Sequence, residues 1–345
     1  MDSEKKDIEN LTFAELKAEL ESWGEPAYRA RQVFEWVYQK GAESFAAMTD
    51  LPKGLRQRLE DEFWLGVLEL TEQLRSKDGT EKFLFRLRDG QRIETVLIPS
   101  GGRRTLCLST QVGCKFACAF CASGAGGFKR NLVPSEMLGQ VRFLRHRLDV
   151  RLTNFVFMGM GEPLDNLDNL VRTVRIMNAP EGMGIAARRI TISTVGIVPA
   201  IEKLENLGLQ VNLSLSLHAT TDELRSRLLP VNRKYPLAEL IKAGAHYARA
   251  TGRMNTIEYI LISGLNDTDA DARRLASLAR KLRAKINLVP YSPGCGAGFA
   301  PSPGPRQEAF LQTLESLGVG ATVRRSKGGD IRAACGQLAG KETGT

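Results

Sequence analysis

The stretch Cys114-Lys115-Phe116-Ala117-Cys118-Ala119-Phe120-Cys121 sets three thiols at a C-x3-C-x2-C spacing. The apolar run Leu106–Val112 leads into it, and Gly124, Gly126 and Gly127 lead out, so the cysteines belong on a loop after a strand. A tetrahedral zinc site wants four nitrogen or sulfur ligands, and no histidine or fourth cysteine lies near enough in sequence to complete one. Three soft thiolates suit an iron–sulfur cluster in which one iron keeps an open position. An open iron can bind a small chelating ligand, so three cysteines suggest chemistry where four would suggest electron storage. The plainer alternatives are a zinc knuckle or buried core cysteines.

Outward from this loop the hydrophobic period alternates between helix and strand. Helix Pro134–Arg147 precedes strand Thr153–Met158, and helix Leu167–Met177 precedes strand Arg189–Thr194. Helix Pro199–Leu207 leads to strand Gln210–Leu217, and helix Pro236–Thr251 to strand Asn255–Ile262. Helix Asp269–Arg283 leads to strand Lys285–Val289, and helix Arg306–Leu317 to strand Ala321–Arg325. With Thr105–Val112 as the first, six strands lead up to Tyr291. Repeated βα units imply an α/β fold with a parallel sheet, here a partial (β/α)6 TIM-like barrel. Function in such a barrel collects where strands end.

Upstream, Leu68–Thr71, Lys82–Leu87 and Arg92–Ile98 read as strands, with Asp78-Gly79 and Asp89-Gly90 as hairpin turns whose two residues both tolerate positive φ. Residues from Ile8 to about Phe63 read as a small helical module with Trp23, Phe34, Trp36 and Tyr38 as its aromatic core. The expected organisation is a helical accessory unit over 1–63, a β-hairpin extension over 64–104 and a catalytic core over 105–345.

The chain's 345 residues, 43% of them hydrophobic, can bury a large core. Its start, Met1-Asp-Ser-Glu-Lys-Lys-Asp7, has no apolar stretch behind the charges, and no apolar run approaches a membrane span, which predicts a cytoplasmic protein. Six cysteines, three in one loop, fit a reducing compartment. The net charge of +9 is either ordinary solubility or a polyanionic partner. Arg103-Arg104, Lys129-Arg130, Arg188-Arg189, Arg273-Arg274, and Arg324-Arg325 with Lys327, could line a phosphate-binding face; Arg29, Arg31 and Lys40 leave an RNA-grasping role open for the helical module.

Polar motifs fall at successive strand ends: the cysteine loop, then Gly159-Met-Gly161-Glu162-Pro163, Ser193-Thr-Val-Gly196, Ser214-Leu-Ser216-Leu217-His218 and Pro290-Tyr-Ser292-Pro293. Glu162 offers a carboxylate to an ammonium group, and the glycines let backbone approach a ligand. One such motif is usually only a turn; four beside a three-cysteine loop are hard to explain as turns.

With these residues in place the sequence closely resembles the radical S-adenosylmethionine (SAM) methyltransferases of 23S rRNA adenine carbon 2, and their carbon 8 relatives, over nearly its whole length. The resemblance implies a radical SAM barrel. It implies one 4Fe-4S cluster on Cys114, Cys118 and Cys121, and SAM chelated at the open iron by its amino and carboxylate groups. Gly161 and Glu162 match the family's methionine-amine contact; Ser193 and Ser216-Leu217-His218 match other SAM contacts. Where the family pattern has asparagine this chain has Ser292, which keeps a hydroxyl and loses the amide.

The resemblance also implies a mechanism. An adenine ring carbon in an amidine is not a nucleophile, so displacement at SAM's methyl group cannot alkylate it. One SAM methylates Cys335, whose thiolate is a good nucleophile. A second is cleaved to a radical that activates the Cys335 methyl group, which adds to adenine. Glu94 assists breakdown of the adduct by proton transfer, and Cys107 resolves it by attacking the Cys335 sulfur, leaving a disulfide to be re-reduced. By themselves Cys107 and Cys335 would be buried free cysteines, Glu94 a solvated strand residue, and Cys295 incidental. The implied partners are 23S rRNA, with tRNA as a further candidate, an electron donor such as flavodoxin or ferredoxin, and a disulfide reductant, around a monomer. A non-catalytic iron–sulfur RNA-binding protein would leave the strand-end motifs and Cys335 unexplained.

Overall fold

The structure, a computed structural model, describes residues 5–293 and 298–341; Cys295 lies outside them. The helical module is built of α1 (Phe13–Ser22), α2 (Tyr28–Tyr38) and α3 (Lys53–Glu62), with short strands β1 (Lys6–Asp7) and β2 (Phe63–Trp64) paired in parallel beneath it. Thr12 starts α1 with a reciprocal capping box to Glu15. Phe34 stacks edge-on to Phe13 at 5.5 Å and to Tyr38 at 4.8 Å. Arg29, Arg31 and Lys40 are spent internally, on Gln32, Glu181 and Asp50 respectively.

Three antiparallel strands follow, β3 (Glu69–Arg75), β4 (Glu81–Arg86) and β5 (Arg92–Ser100). Their turns differ from expectation. Only Gly79 and Gly90 take positive φ, +84° and +82°. Asp78 and Asp89 act instead through their side chains, accepting the N–H groups of Thr80 and Gln91 at 2.9 and 3.0 Å.

The single strand expected over Thr105–Val112 is two. β6 (Arg103–Cys107) joins the main sheet; β7 (Gln111–Gly113) turns away to pair with β8 (Phe128–Asn131). The break falls where Gln140 takes the Ser109 backbone, accepting its N–H at 2.9 Å and donating to its carbonyl at 3.0 Å. The remaining strands are β9 (Asn154–Phe157), β10 (Ile190–Thr194), β11 (Asn212–Ser216), β12 (Asn255–Leu261), β13 (Ala284–Pro290) and β14 (Ala321–Val323). Between them run α5 (Pro134–Arg142), α6 (Leu167–Asn178), α7 (Val198–Glu205), α8 (Asp222–Leu228), α9 (Leu237–Thr251), α10 (Asp269–Leu282) and α11 (Gly304–Ser316); α4 (Ala122–Ala125) is one turn after the cysteines. The short α8 was not anticipated.

One ten-stranded sheet results, in the order β14-β13-β12-β11-β10-β9-β6-β5-β4-β3. It is parallel from β14 to β6 and antiparallel from there to β3, so the β-extension continues the barrel sheet. One face of each parallel strand is apolar and meets the helices: Ile190 and Ile192, Leu213 and Leu215, Ile257 and Tyr259, Ile286 and Leu288. The alternate residues point inward and are mostly polar, Thr191, Ser214, Thr256, Glu258, Lys285 and Asn287 among them, and they line a lumen rather than a filled core.

The helical module docks on α5 and α6 through Arg172 to Glu15 and Arg142 to Glu9, each at 2.6 Å. Glu9 and Asp7 are buried there, and burial raises their carboxyls to about 7 and about 6. Both bind protons more tightly folded than unfolded. Their contribution to stability is therefore greatest below the unfolded values near 4 and is lost as pH rises through 6 and 7. Glu9→Gln should reduce the loss of denaturation free energy between pH 5.5 and 7.5 by roughly 1–2 kcal/mol. Equal losses in the two proteins would show that Arg142 already keeps Glu9 ionised.

Candidate active site at the strand ends

The cysteine loop is shaped by the chain around it. Gly113 has φ +74°, and a Cβ there would lie 1.8 Å from the Gly127 carbonyl oxygen, so the β7–β8 pairing that frames the loop needs glycine. Ala119 N–H donates to Leu228 O at 2.9 Å, from the unanticipated helix α8. Phe116 and Phe120 pack into a second apolar cluster with Leu228, Leu229, Ile260, Ile262 and Tyr291.

A cavity opens beside the loop. Its wall brings together Cys114, Cys118, Cys121, Gly161, Glu162, Ser193, Ser216, His218 and Cys335. Burial pushes the Cys114 thiol up to about 12 and raises Cys118 and Cys121 as well, so the trio stays protonated unless a metal supplies positive charge. Among the described residues, no three His, Cys, Asp or Glu side chains converge as a single ion requires. Cys114, Cys118 and Cys121 lie on one cavity wall, where three thiolates could hold an iron–sulfur cluster.

Glu162 is buried, its two oxygens accepting the N–H groups of Leu164 at 3.0 Å and Val195 at 2.8 Å. Burial raises its carboxyl to about 7, which an incoming ammonium would reverse. Gln111 fixes this turn by accepting the Glu162 N–H at 2.9 Å. His218 is locked neutral, down to about 3, by burial; its Nδ1 accepts the Ile260 N–H at 3.1 Å. Its ring meets Phe120 edge-on at 4.8 Å, so it props the cysteine loop. Leu217 and Ser292 are outside the cavity wall. Leu217 is in the core, and Ser292 Oγ donates to Ser326 Oγ at 3.0 Å.

Cys335 is exposed and also lines a second cavity, which is the barrel lumen. The two cavities share Met158, Glu258, Val289, Arg324 and Cys335, so Cys335 stands at their junction. Cys107 is buried; burial first, then the nearby Cys335, pushes its thiol up to about 12, and Arg324 pulls the other way. Glu94 is in neither wall. Its carboxylate meets Lys82 at 2.8 Å and accepts the N–H groups of Ala339 and Gly340 at 2.6 and 2.9 Å, behind the Cys335 segment.

Two further residues, Arg225 and Glu258, carry no local motif, and Arg324 reads in the sequence only as one of a basic pair. Arg225 is fully buried and ties the strand ends together by donating to Val195 O, Ser216 O, Leu217 O and Asn232 Oδ1. Arg324 and Glu258 form the polar waist between the cavities. Only the period-two polar pattern of β12 hinted at Glu258.

Residues 108–276 match the radical SAM superfamily, and residues 6–65 match the ribosomal RNA large subunit methyltransferase N-terminal domain. The chain is 52% identical to a probable dual-specificity RNA methyltransferase RlmN of Gemmatimonas aurantiaca, covering 91% of this chain and 87% of that one. It is 48% identical to the dual-specificity RNA methyltransferase RlmN of Geobacter sulfurreducens, covering 97% and 92%. The chain belongs to this radical SAM RNA methyltransferase family. A crystal structure of a radical SAM methyltransferase from Sphaerobacter thermophilus superposes with a TM-score of 0.92 at 47% identity, over 97% of this chain and 100% of that one. The family's cofactors are a 4Fe-4S cluster and SAM, and the residues present fit both. Three thiols on one cavity wall could hold the cluster, and the buried Glu162 carboxylate beside Gly161 could meet an ammonium group.

Proposed function

We propose that the chain methylates carbon 2 of an adenosine in 23S rRNA, and an adenosine of tRNA, with Cys335 as methyl carrier. The observation that carries this is Cys335 at the junction of the cysteine-lined cavity and the lumen. Cys114, Cys118 and Cys121 hold the cluster; Gly161, Glu162, Ser193 and Ser216 hold SAM. When bound, the cluster and SAM supply the radical that activates an unreactive methyl group. Cys335 first takes a methyl from SAM onto its sulfur and later delivers that carbon to the adenine. The Arg324 guanidinium, at the junction of the two cavities, pulls the Cys107 thiol down against the burial that raises it. Glu94, paired with Lys82 against the Cys335 segment, is the candidate proton acceptor. Cys107 attacks the Cys335 sulfur, frees the methylated base and ends in a disulfide with it.

The RNA side is read from charge. Arg103, Arg104, Arg151, Arg189 and Lys327 surround one cavity at the strand starts, and Arg103 and Lys327 also line the lumen that reaches Cys335. Of the other basic pairs, Arg130 is held by Asp89 and Glu136, and Arg274 by Asp271. The target base is unstacked to reach Cys335, its phosphates tracking the basic mouth. No helix among the described residues is long and apolar enough to cross a membrane. We place the enzyme in the cytoplasm as a monomer, served by flavodoxin or ferredoxin and a disulfide reductant.

The test is anaerobic reconstitution, reaction with ribosomal RNA fragments and SAM, and mass spectrometry of the nucleosides. The expected product is 2-methyladenosine. An 8-methyl product would overturn the regiochemistry, and intact SAM with unmodified RNA would leave only an iron–sulfur RNA-binding protein.

A further inference from the structure

We infer that Lys82 is a positioning residue for methyl transfer: with Glu94 it forms a buried clamp that fixes the C-terminal segment carrying Cys335. The inference rests on the reading of Cys335 as methyl carrier. Lys82 on β4 lies opposite Val96 on β5, two residues from Glu94 on the same strand face. Lys82 Nζ meets Glu94 Oε1 at 2.8 Å, with the side chains only 4% and 2% exposed. A buried ion pair of this kind is weak evidence for stability, since apolar residues of like volume are often as good. Its value must be sought in what it holds.

Glu94 holds the backbone of Ala339 and Gly340, whose N–H groups both donate to Oε2. A charged acceptor grips amides about twice as strongly as a neutral one. Without the Lys82 ammonium, the buried carboxylate would lose the ion-pair partner that holds it against the segment, and removing one partner of a buried pair is costly. The other side of Cys335 is tied as well. Asp78 accepts the Gly328 N–H at 2.9 Å, and Asp330 accepts Ser76 Oγ–H at 2.6 Å. Between the ties, Ala122 N–H, next to Cys121, donates to Gly336 O at 2.6 Å. The segment is a strap fastened to the β-extension at both ends and to the cysteine loop in the middle. Lys82 and Glu94 are the ion pair in that fastening, and no other described residue pairs an ion with them.

The test uses the full chain with its cluster, comparing wild type, Lys82→Met, Lys82→Arg and Glu94→Gln. Hydrogen–deuterium exchange of the peptide over residues 334–341 reads the clamp directly. Lys82→Met should exchange about tenfold faster or more at Ala339 and Gly340, as loss of charge-assisted hydrogen bonds requires. RNA methylation should fall at least as far while iron content stays near wild type, and Lys82→Arg should recover most of both losses. Wild-type exchange in a folded Lys82→Met protein overturns the clamp. So does faster exchange with undiminished RNA methylation, because the segment would then need no fixing. Should Lys82→Met fail to fold, Glu94→Gln keeps the side-chain shape and reads the same amides. A loosened peptide in a protein whose wild type never methylates RNA would instead defeat the proposed function and leave the clamp standing.

Discussion

Cys107→Ala enzyme incubated anaerobically with RNA and SAM is expected to appear on a denaturing gel as a covalent RNA conjugate, and ribonuclease should collapse the band. Cys107 is buried beside the exposed Cys335, and Arg324, between the cavities, pulls the Cys107 thiol down. Removing Cys107 leaves the cluster loop, the SAM contacts and Cys335 untouched, so chemistry should run to the adduct and stop. Cys335→Ala should behave differently, abolishing methyl transfer outright while the iron content is retained. A residual SAM cleavage is compatible with that, because the radical lacks its hydrogen donor. Two structural cysteines would give parallel losses of stability and no conjugate. Free protein alone in Cys107→Ala, together with activity in Cys335→Ala, would refute the proposed reaction.

The second large effect concerns the cluster. Cys118→Ala should reduce the iron of anaerobically reconstituted protein from about four per chain to well below one, as loss of one of three thiolates leaves the cluster under-ligated. The fold should survive. The loop is held by Phe116 and Phe120 in their own apolar cluster and by the Ala119–Leu228 hydrogen bond, none of which needs metal. Circular dichroism unchanged with iron and RNA methylation both lost is the expected combination. Iron retained in full would mean that a ligand outside the three-cysteine set completes the site. Stoichiometric zinc without sulfide in the wild type would dismiss the cluster.

The sequence alone determined what short-range physics controls. Hydrophobic periods of 2 and 3.6 marked the βα alternation to within a few residues, and local spacing marked Cys114, Cys118 and Cys121 as candidate ligands on one loop. Glycines announced positions where backbone must approach closely, as Gly113 does against Gly127. The break of the first barrel strand was invisible because Gln140, which ends it, comes from a helix further along the chain. Tertiary structure alone decided which charges are free. Lys129-Arg130 and Arg103-Arg104 look alike in sequence, but Arg130 meets Asp89 and Glu136 while Arg103 and Arg104 line a cavity. It decided that Glu94 is a buried partner of Lys82 and a holder of the C-terminal segment, not a wall of the cavity. It also set Cys335 beside a loop more than two hundred residues earlier in the chain. That neighbourhood follows from parallel strand order and from backbone ties such as Ala122 to Gly336, long-range pairings that no local pattern of side chains encodes.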